Sequence, residues 1–269
     1  MGVPTALLVD IDGVLVVSWE PLPGAVEALE ALQSARVPIR YLTNTTSRTK
    51  AQITEALRDV GFDVTPDEVL TATAATASHL AAHHQGARCL LLNSGDVSAD
   101  LAEVTLVEAG TPSDEVDVVI IGGAGDEFSY QLLNQALACL IGGAALVAMH
   151  RNLLWRTRGG LQLDAGVYVL ALERAAGVEA TIIGKPAPAM FDAALDSLGA
   201  RASEAAMVGD DLDTDVRAAQ ELGITGIQVR TGKFLPEQLD EGPPPDVLID
   251  SFADVPEWLG LAEGGTTDP

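Results

Sequence analysis

Short apolar runs alternate along this chain with segments whose apolar residues recur at helical spacing. Such alternation of strands and helices is typical of βαβ units, which build mainly parallel sheets covered by helices. The sequence therefore predicts an α/β fold with a Rossmann-like parallel sheet. The elements that matter most here are predicted strands at Ala6–Val9, Val37–Leu42, Thr181–Ile183 and Ala205–Val208 and a predicted helix over Asp213–Leu222.

Each of these four strands ends at a short polar motif. The motifs are, in chain order, Asp10-Ile11-Asp12-Gly13, Thr43-Asn44-Thr45, Gly184-Lys185-Pro186, and Gly209-Asp210-Asp211 followed by Asp215. Open α/β sheets bind ligands outside the carboxyl ends of their strands. If the four strands are neighbours in one sheet, the motifs converge on one crevice that combines carboxylates, a hydroxyl and an ammonium. That combination indicates a divalent-metal site beside a phosphate site.

The four motifs also divide the chain. They lie in residues 1–85 and 180–269, whereas residues 86–179 carry a separate succession of strands and helices. An insert of about a hundred residues is large enough to fold as a domain. We therefore expect a core domain from 1–85 and 180–269, and an inserted α/β cap domain from 86–179.

The first motif pairs Asp10 with Asp12 at the end of a strand. Gly13 allows the chain to turn there, so that both carboxylates can reach one site. Two close carboxylates do not both ionise readily unless a cation compensates them, and one can keep a proton. The pair therefore suits a nucleophile beside a general acid, although an acidic turn without catalytic function has the same pattern.

The last motif places four carboxylates within six positions, from Asp210 to Asp215. Hard divalent cations such as Mg²⁺ prefer such oxygen ligands. A calcium loop of the EF-hand type does not fit, because Val216 and Leu222 stand where that loop requires glycine and glutamate. Asp210 directly follows the strand and is the expected ligand, whereas Asp213 suits a solvated helix N-terminus.

The two middle motifs supply candidate phosphate ligands. Lys185 is one of only three lysines in the chain, which indicates a placed cation, although a lysine in a surface loop has the same pattern. Thr43 and Asn44 suit either a helix cap or a set of donors to phosphate oxygens. We expect Lys185, Thr43 and Asn44 to bind the phosphate.

The composition argues against several classes of partner. The formal net charge is −24, and nucleic-acid binding depends on lysine and arginine neutralising phosphates, so we expect no nucleic-acid partner. No apolar stretch reaches the ~18 residues that span a bilayer, so we expect no membrane partner. The two cysteines lie in apolar surroundings and the N-terminus lacks a basic region, so the expected location is cytoplasmic.

The ordered set of four motifs resembles the haloacid dehalogenase superfamily, and more narrowly its type IIA phosphatases with a C2 cap. The resemblance extends from Thr5 to about Gly260. The sequence is most similar to the branch that contains phospholysine phosphohistidine inorganic pyrophosphate phosphatase. Besides the second, third and fourth motifs, the segments shared with that branch are Phe128-Ser129-Tyr130-Gln131 and Val229-Arg230-Thr231-Gly232-Lys233-Phe234.

The resemblance implies a magnesium-dependent phosphatase that acts on small phosphorylated metabolites through an aspartyl-phosphate. Asp10 would attack phosphorus and ligate Mg²⁺. Asp12 would act as general acid and base, and its backbone carbonyl would ligate the metal. Asp210 would complete the metal site and Asp215 would support it, whereas the role of Asp211 stays open. Together with the phosphate ligands above, these residues form the expected catalytic site.

The resemblance also places a specificity loop between His150 and Asp164. Within it, Trp155, Arg156 and Arg158 suit an anionic or planar leaving group, although a merely solvated basic loop has the same pattern. The insert is expected to act as a lid over the site. A homodimer through the cap is a further expectation from the family.

Alternative functions stay open. Hydrolysis of pyrophosphate or of a phosphorus–nitrogen bond would use the same residues. A dehalogenase is disfavoured, because its chemistry needs neither magnesium nor the second aspartate. A non-catalytic phosphate-binding regulator would share the fold, but the intact Asp10–Asp12 pair argues against it.

Overall fold

The structure is a computed structural model and describes residues 4–157 and 160–261. Its strands are β1 (Ala6–Asp10), β2 (Val16–Val17), β3 (Glu20–Pro21), β4 (Ile39–Thr43), β5 (Val69–Thr71), β6 (Arg88–Leu92), β7 (Thr105–Val107), β8 (Val118–Ile121), β9 (Ala145–Ala148), β10 (Leu154–Thr157), β11 (Gly160–Leu163), β12 (Thr181–Ile182), β13 (Ala205–Gly209), β14 (Thr225–Val229) and β15 (Val247–Ile249). Its α-helices are α1 (Ala25–Ser34), α2 (Lys50–Asp59), α3 (Ala72–His83), α4 (Tyr130–Ile141), α5 (Ala165–Ala176), α6 (Pro188–Leu198), α7 (Ala218–Glu221) and α8 (Val255–Trp258).

The strands form two main sheets. One has the order β15-β14-β13-β1-β4-β5, and its pairs β15–β14, β14–β13, β13–β1 and β1–β4 are all parallel. The other has the order β12-β9-β8-β6-β7 and is parallel throughout. Two antiparallel hairpins, β2–β3 and β10–β11, complete the set. The predicted α/β fold class, a Rossmann-like parallel sheet with a second α/β part, is therefore confirmed.

The chain folds into two compact units. The described residues within Met1–Thr43, Thr54–Val69 and Phe191–Pro269 form the first unit, and Asn44–Ile53 with Leu70–Met190 form the second. Residues 70–83 belong to the second unit because helix α3 packs Ala72 and Leu80 into the same apolar cluster as Val118. The predicted domain boundaries at residues 85 and 179 stay a prediction.

One expectation about the sheets is wrong. Strand β12, which precedes Lys185, pairs in parallel with β9 and so belongs to the five-stranded sheet, in the register Thr181↔Val147 and Ile182↔Ala148. A helical connection usually returns the chain beside the strand that it left, and helix α5 lies on the path from β9 to β12, after the β10–β11 hairpin. The other three motif strands, β13, β1 and β4, are direct neighbours as expected.

The central strands of the first unit are apolar because both of their faces are covered. Leu7, Leu8 and Val9 of β1 are fully buried, as are Met207 and Val208 of β13 beside them. Such continuous burial is typical of strands in parallel sheets with helices on both faces. The site at their carboxyl ends therefore rests on rigid, tightly packed backbone.

Within residues 4–157 and 160–261, no helix combines the length and the apolar character that crossing a bilayer requires.

Replacement of Leu8 by alanine tests the importance of this packing. We expect Leu8→Ala to lower the free energy of unfolding by about 2–5 kcal/mol, because it removes a fully buried side chain from the central strand. The matched control is Leu235→Ala, where the leucine is 49% exposed and the expected loss is below about 0.5 kcal/mol. Urea unfolding of both variants measures the difference, and equal losses would contradict the assignment of the core.

Candidate active site and metal centre

Three buried carboxylates meet at the carboxyl ends of β1 and β13. Asp10 is the last residue of β1, Asp210 directly follows β13, and Asp215 lies in the helical turn that comes next. Each offers one oxygen, and these oxygens all lie within 4.8 Å of one another. Their side chains are almost inaccessible, with residue exposures of 5%, 1% and 1%. The structure thus brings together three of the predicted site residues.

The turn after β13 is shaped to place Asp215 behind Asp210. A side chain at Gly209 would collide with Asp215, since an added Cβ would lie 2.2 Å from the Cβ of that residue. The Asp215 carboxylate in turn accepts a hydrogen bond from the backbone N–H of Asp211 at 3.3 Å. The glycine and this hydrogen bond fix how closely the two acidic segments approach.

Asp211 caps the following helix. Its carboxylate accepts hydrogen bonds from the backbone N–H groups of Asp213 at 3.3 Å and Thr214 at 3.1 Å. The predicted helix Asp213–Leu222 differs in detail, because it starts with a π-helical turn over Leu212–Arg217 before α7. π-helical turns recur at functional sites, and this one carries Asp215.

Asp213 lies outside the acidic cluster. Its exposed carboxylate forms an ion pair with Arg217 one turn later, at 2.7 Å. That arrangement agrees with a solvated helix N-terminus, the interpretation that the sequence favoured for this residue.

Asp210 is held by hydrogen bonds from β14 and from the segment that follows it. The backbone N–H of Lys233 donates to Asp210 Oδ2 at 2.8 Å, and the Gln228 amide donates to the Asp210 carbonyl at 2.8 Å. Among the described residues, none donates a hydrogen bond to the buried Oδ1 of Asp210. Burial, the Asp10 charge and the Asp215 charge raise the pKa of Asp210 to about 8.

These features fit a divalent cation. Three like charges in a buried space repel one another, and a buried carboxylate oxygen without a donor needs a positive partner. Mg²⁺ and related hard cations bind carboxylate oxygens. Asp10 and Asp210 can therefore hold such an ion, with Asp215 close enough to contribute to its field.

Two glycines allow the loops around Asp210 to close on it. Gly13 and Gly232 have φ values of +86° and +63°, in the left-handed region that favours glycine. A Cβ at either position would lie 2.0 Å from Asp210 Oδ2. The Thr231 hydroxyl donates to the Gly13 carbonyl at 2.5 Å and ties the two loops together.

The segment from Gln228 to Lys233 was not predicted as part of the site. Residues 229–234 resemble a family segment, but that resemblance by itself gives them no role in the site. Two signals could have found it: β14 is the neighbour of β13, and Lys233 is one of three lysines in an acidic chain. Partial desolvation lowers the pKa of Lys233, but the carboxylates of Asp210 and Asp211, and then those of Asp10 and Asp215, raise the pKa by a larger amount, so the ammonium is charged.

The remaining predicted residues divide between the two units. Thr43 is buried and ends β4, directly after Leu42, which pairs with Asp10. Asp12 is partly exposed and lies in the turn after β1, where it forms an isolated bridge with Val16.

In the second unit, the Asn44 amide donates to the carbonyl of Lys185 at 2.8 Å, and Lys185 is buried.

The candidates for leaving-group specificity are only partly described. Trp155 and Arg156 lie on β10, at the start of a hairpin with β11. Arg158 falls outside the described residues. His150 precedes this hairpin and Asp164 follows it; both are buried, and their side chains approach to 4.0 Å.

Two protein-family models match this chain, one in each half. The model for a haloacid dehalogenase-like hydrolase matches residues 7–107, and a second model for HAD-like hydrolases matches residues 182–255. The haloacid dehalogenase-like hydrolase domain-containing protein 2 of Homo sapiens is 38% identical over 248 residues, which is 92% of each chain. The phospholysine phosphohistidine inorganic pyrophosphate phosphatase of Homo sapiens is 36% identical over 92% of this chain and 90% of its own.

Solved structures agree with this similarity. A p-nitrophenyl phosphatase from Archaeoglobus fulgidus superposes with a TM-score of 0.87 and 29% sequence identity. The match covers 95% of this chain and 99% of that one.

Alanine at Gly232 tests the approach of the two loops to Asp210. We expect Gly232→Ala to weaken divalent-cation binding by about tenfold or more, because the added methyl group displaces the Asp210 carboxylate. The matched control is Gly199→Ala, which has nearly the same φ, +62°, but open space around its Cβ position. The control should lose only the roughly 1–2 kcal/mol of backbone strain and bind the cation normally. Titration calorimetry with Mg²⁺ decides, and equal binding by both variants would contradict the geometry.

The raised pKa of Asp210 predicts a pH dependence of stability. The pKa of this carboxyl is about 3.9 in an unfolded chain and about 8 in the folded protein. Between these two pH values, the folded state therefore keeps a proton that the unfolded state has lost. The free energy of unfolding of the cation-free protein should therefore fall as pH rises from about 4 to 8. Urea unfolding in chelator at several pH values measures this slope. Asp210→Asn should flatten it, and an unchanged slope in that variant would show that other groups cause it.

Proposed function

We propose that this chain, which belongs to the haloacid dehalogenase-like hydrolase family and is a phosphatase, uses Mg²⁺ to hydrolyse small phosphorylated metabolites. The observation that carries the proposal is the buried cluster of Asp10, Asp210 and Asp215 at the carboxyl ends of two adjacent parallel strands. A carboxylate nucleophile and a cation site in one place are what phosphoryl transfer through an aspartate requires.

The proposed metal ligands are the carboxylates of Asp10 and Asp210 and the backbone carbonyl of Asp12. Asp215 would strengthen the negative field around the ion, and Asp211 would hold the helix N-terminus in place through its capping hydrogen bonds. The bound cation would offset the charges of the nucleophile and of the phosphate, which otherwise repel each other. The oxygen-only donor set favours hard divalent cations over softer ones, and the choice of Mg²⁺ among the hard cations rests on the family resemblance.

The proposed reaction has two transfers. In the first, an Asp10 oxygen forms a bond to phosphorus while the bond from phosphorus to the leaving-group oxygen breaks, and Asp12 donates a proton to that oxygen. In the second, Asp12 accepts a proton from water as the water oxygen attacks phosphorus and the bond to Asp10 breaks. After the second transfer, Asp10 is again a free carboxylate and Asp12 is again protonated.

The phosphate ligands are proposed with different kinds of support. Thr43 ends the strand next to that of Asp10, so this residue lies at the same sheet edge as the proposed nucleophile. The roles of Asn44 and Lys185 rest on the resemblance of their motifs and stay predictions. So do the leaving-group roles of Trp155, Arg156 and Arg158, the homodimer and the cytoplasmic location.

A second candidate is hydrolysis of inorganic pyrophosphate or of phosphorus–nitrogen bonds. It is favoured by the 36% identity to a protein named phospholysine phosphohistidine inorganic pyrophosphate phosphatase. The ratio of kcat/KM for pyrophosphate to kcat/KM for p-nitrophenyl phosphate separates the two candidates. A panel of phosphorylated metabolites, assayed with Mg²⁺, would then narrow the substrate class.

Replacement of the nucleophile provides the decisive test. We expect Asp10→Asn to lower kcat for p-nitrophenyl phosphate by at least about a thousandfold, because an amide cannot accept the phosphoryl group. The fold should persist, since the change removes one of three mutually repelling charges. Steady-state kinetics and thermal unfolding measure the two effects.

The control for this test carries the same chemical change elsewhere in the first unit. Asp192 is an exposed aspartate on helix α6, and Asp192→Asn should leave turnover unchanged. Turnover at the wild-type rate in Asp10→Asn would refute the aspartyl-phosphate mechanism.

A further inference from the structure

The side chain of Lys233 places a positive charge near the acidic cluster. Its ammonium lies 3.4 Å from Asp211 Oδ2, and its own backbone N–H binds Asp210 Oδ2 at 2.8 Å. The residue is therefore anchored at its backbone to one carboxylate and at its side-chain end to a second.

The ammonium is held loosely compared with the backbone. The Lys233 side chain is 61% exposed, whereas that of Asp211 is 24% exposed. An ion pair of 3.4 Å at the surface contributes little stability by itself. Its charge nevertheless interacts with the carboxylates of Asp10, Asp210 and Asp215, because these three side chains are buried and water screens their charges poorly.

We infer that Lys233 is an internal counter-cation that competes with the divalent cation for the field of Asp10, Asp210 and Asp215. When the cluster holds no divalent ion, the ammonium offsets part of the repulsion among the carboxylates. When a divalent ion enters, the same ammonium repels it. Lys233 therefore stabilises the cation-free protein and weakens its affinity for the divalent cation. It is a positioning residue with an electrostatic role, and the inference rests on the proposed metal site.

The sign of the effect distinguishes this role from a structural one. If Lys233 served only to hold Asp210 and Asp211 in place, its loss would weaken cation binding. If it competes with the cation, its loss strengthens binding. A side chain of similar length without charge keeps the backbone hydrogen bond to Asp210, since that bond comes from the main chain.

The experiment compares Mg²⁺ binding to the wild type and to Lys233→Met by titration calorimetry, which does not depend on turnover. We expect the dissociation constant of the variant to be lower by about three- to tenfold at low ionic strength, because one repelling unit charge is removed. The difference should shrink as salt is added. Without Mg²⁺, the variant should unfold at a lower temperature than the wild type, and saturating Mg²⁺ should remove that gap.

Two control variants isolate the charge. Lys233→Arg keeps the charge and should bind Mg²⁺ like the wild type. Arg230→Met removes a positive charge from the same segment, but Arg230 pairs with Asp250 instead of with the acidic cluster, so its effect should be much smaller. Equal tightening by Arg230→Met and Lys233→Met would show a nonspecific change of net charge and overturn the inference.

The outcomes also separate this inference from the proposed function. If the wild type binds Mg²⁺ and Lys233→Met binds it equally or more weakly, the competing role of Lys233 is wrong, whereas the metal site stands. If the wild type binds no divalent cation, the proposed metal site fails and the inference fails with it.

Discussion

Repulsion among three buried carboxylates is the interaction around which this site is organised. Asp10, Asp210 and Asp215 lie within 4.8 Å of one another in surroundings that exclude water, where like charges repel most strongly. Such an arrangement does not persist by itself, so the rest of the site consists of groups that offset it. Hydrogen bonds from backbone N–H groups, a proton on Asp210, the Lys233 ammonium and a divalent cation are the available means.

The sheet brings the carboxylates together at little conformational cost. β13, β1 and β4 are consecutive parallel neighbours, so the residues that follow them share one edge. The glycines at 13, 209 and 232 then permit approaches that any side chain would block. Rigid strands and tight glycine turns thus fix the distances between the charges, and the cluster cannot relax by spreading apart.

Much of this arrangement follows from sequence because strand ends and acidic motifs are local features. The apolar runs before Asp10 and Asp210 predict buried parallel strands, and both strands lie where they were expected. Two features were beyond such reasoning. The two-residue strand β12 pairs with β9, and two residues carry too little pattern to predict which strand is their neighbour. The hydrogen bond from Lys233 to Asp210 comes from a backbone N–H, which every residue except proline carries, so the rarity of lysine marks this segment but does not predict the bond.

The balance between fixed and exchangeable positive charge decides how such a site behaves. A cluster fully neutralised by its own lysine and hydrogen bonds would be stable without metal but would bind metal weakly. A cluster left without compensation would bind metal tightly but would destabilise the cation-free fold, because binding free energy and folding free energy are linked. The contacts of Asp210 lie between these limits: Oδ2 accepts a backbone hydrogen bond, whereas Oδ1 has no donor among the described residues. One oxygen is thus committed to the fold, and the other is left for a cation that can exchange.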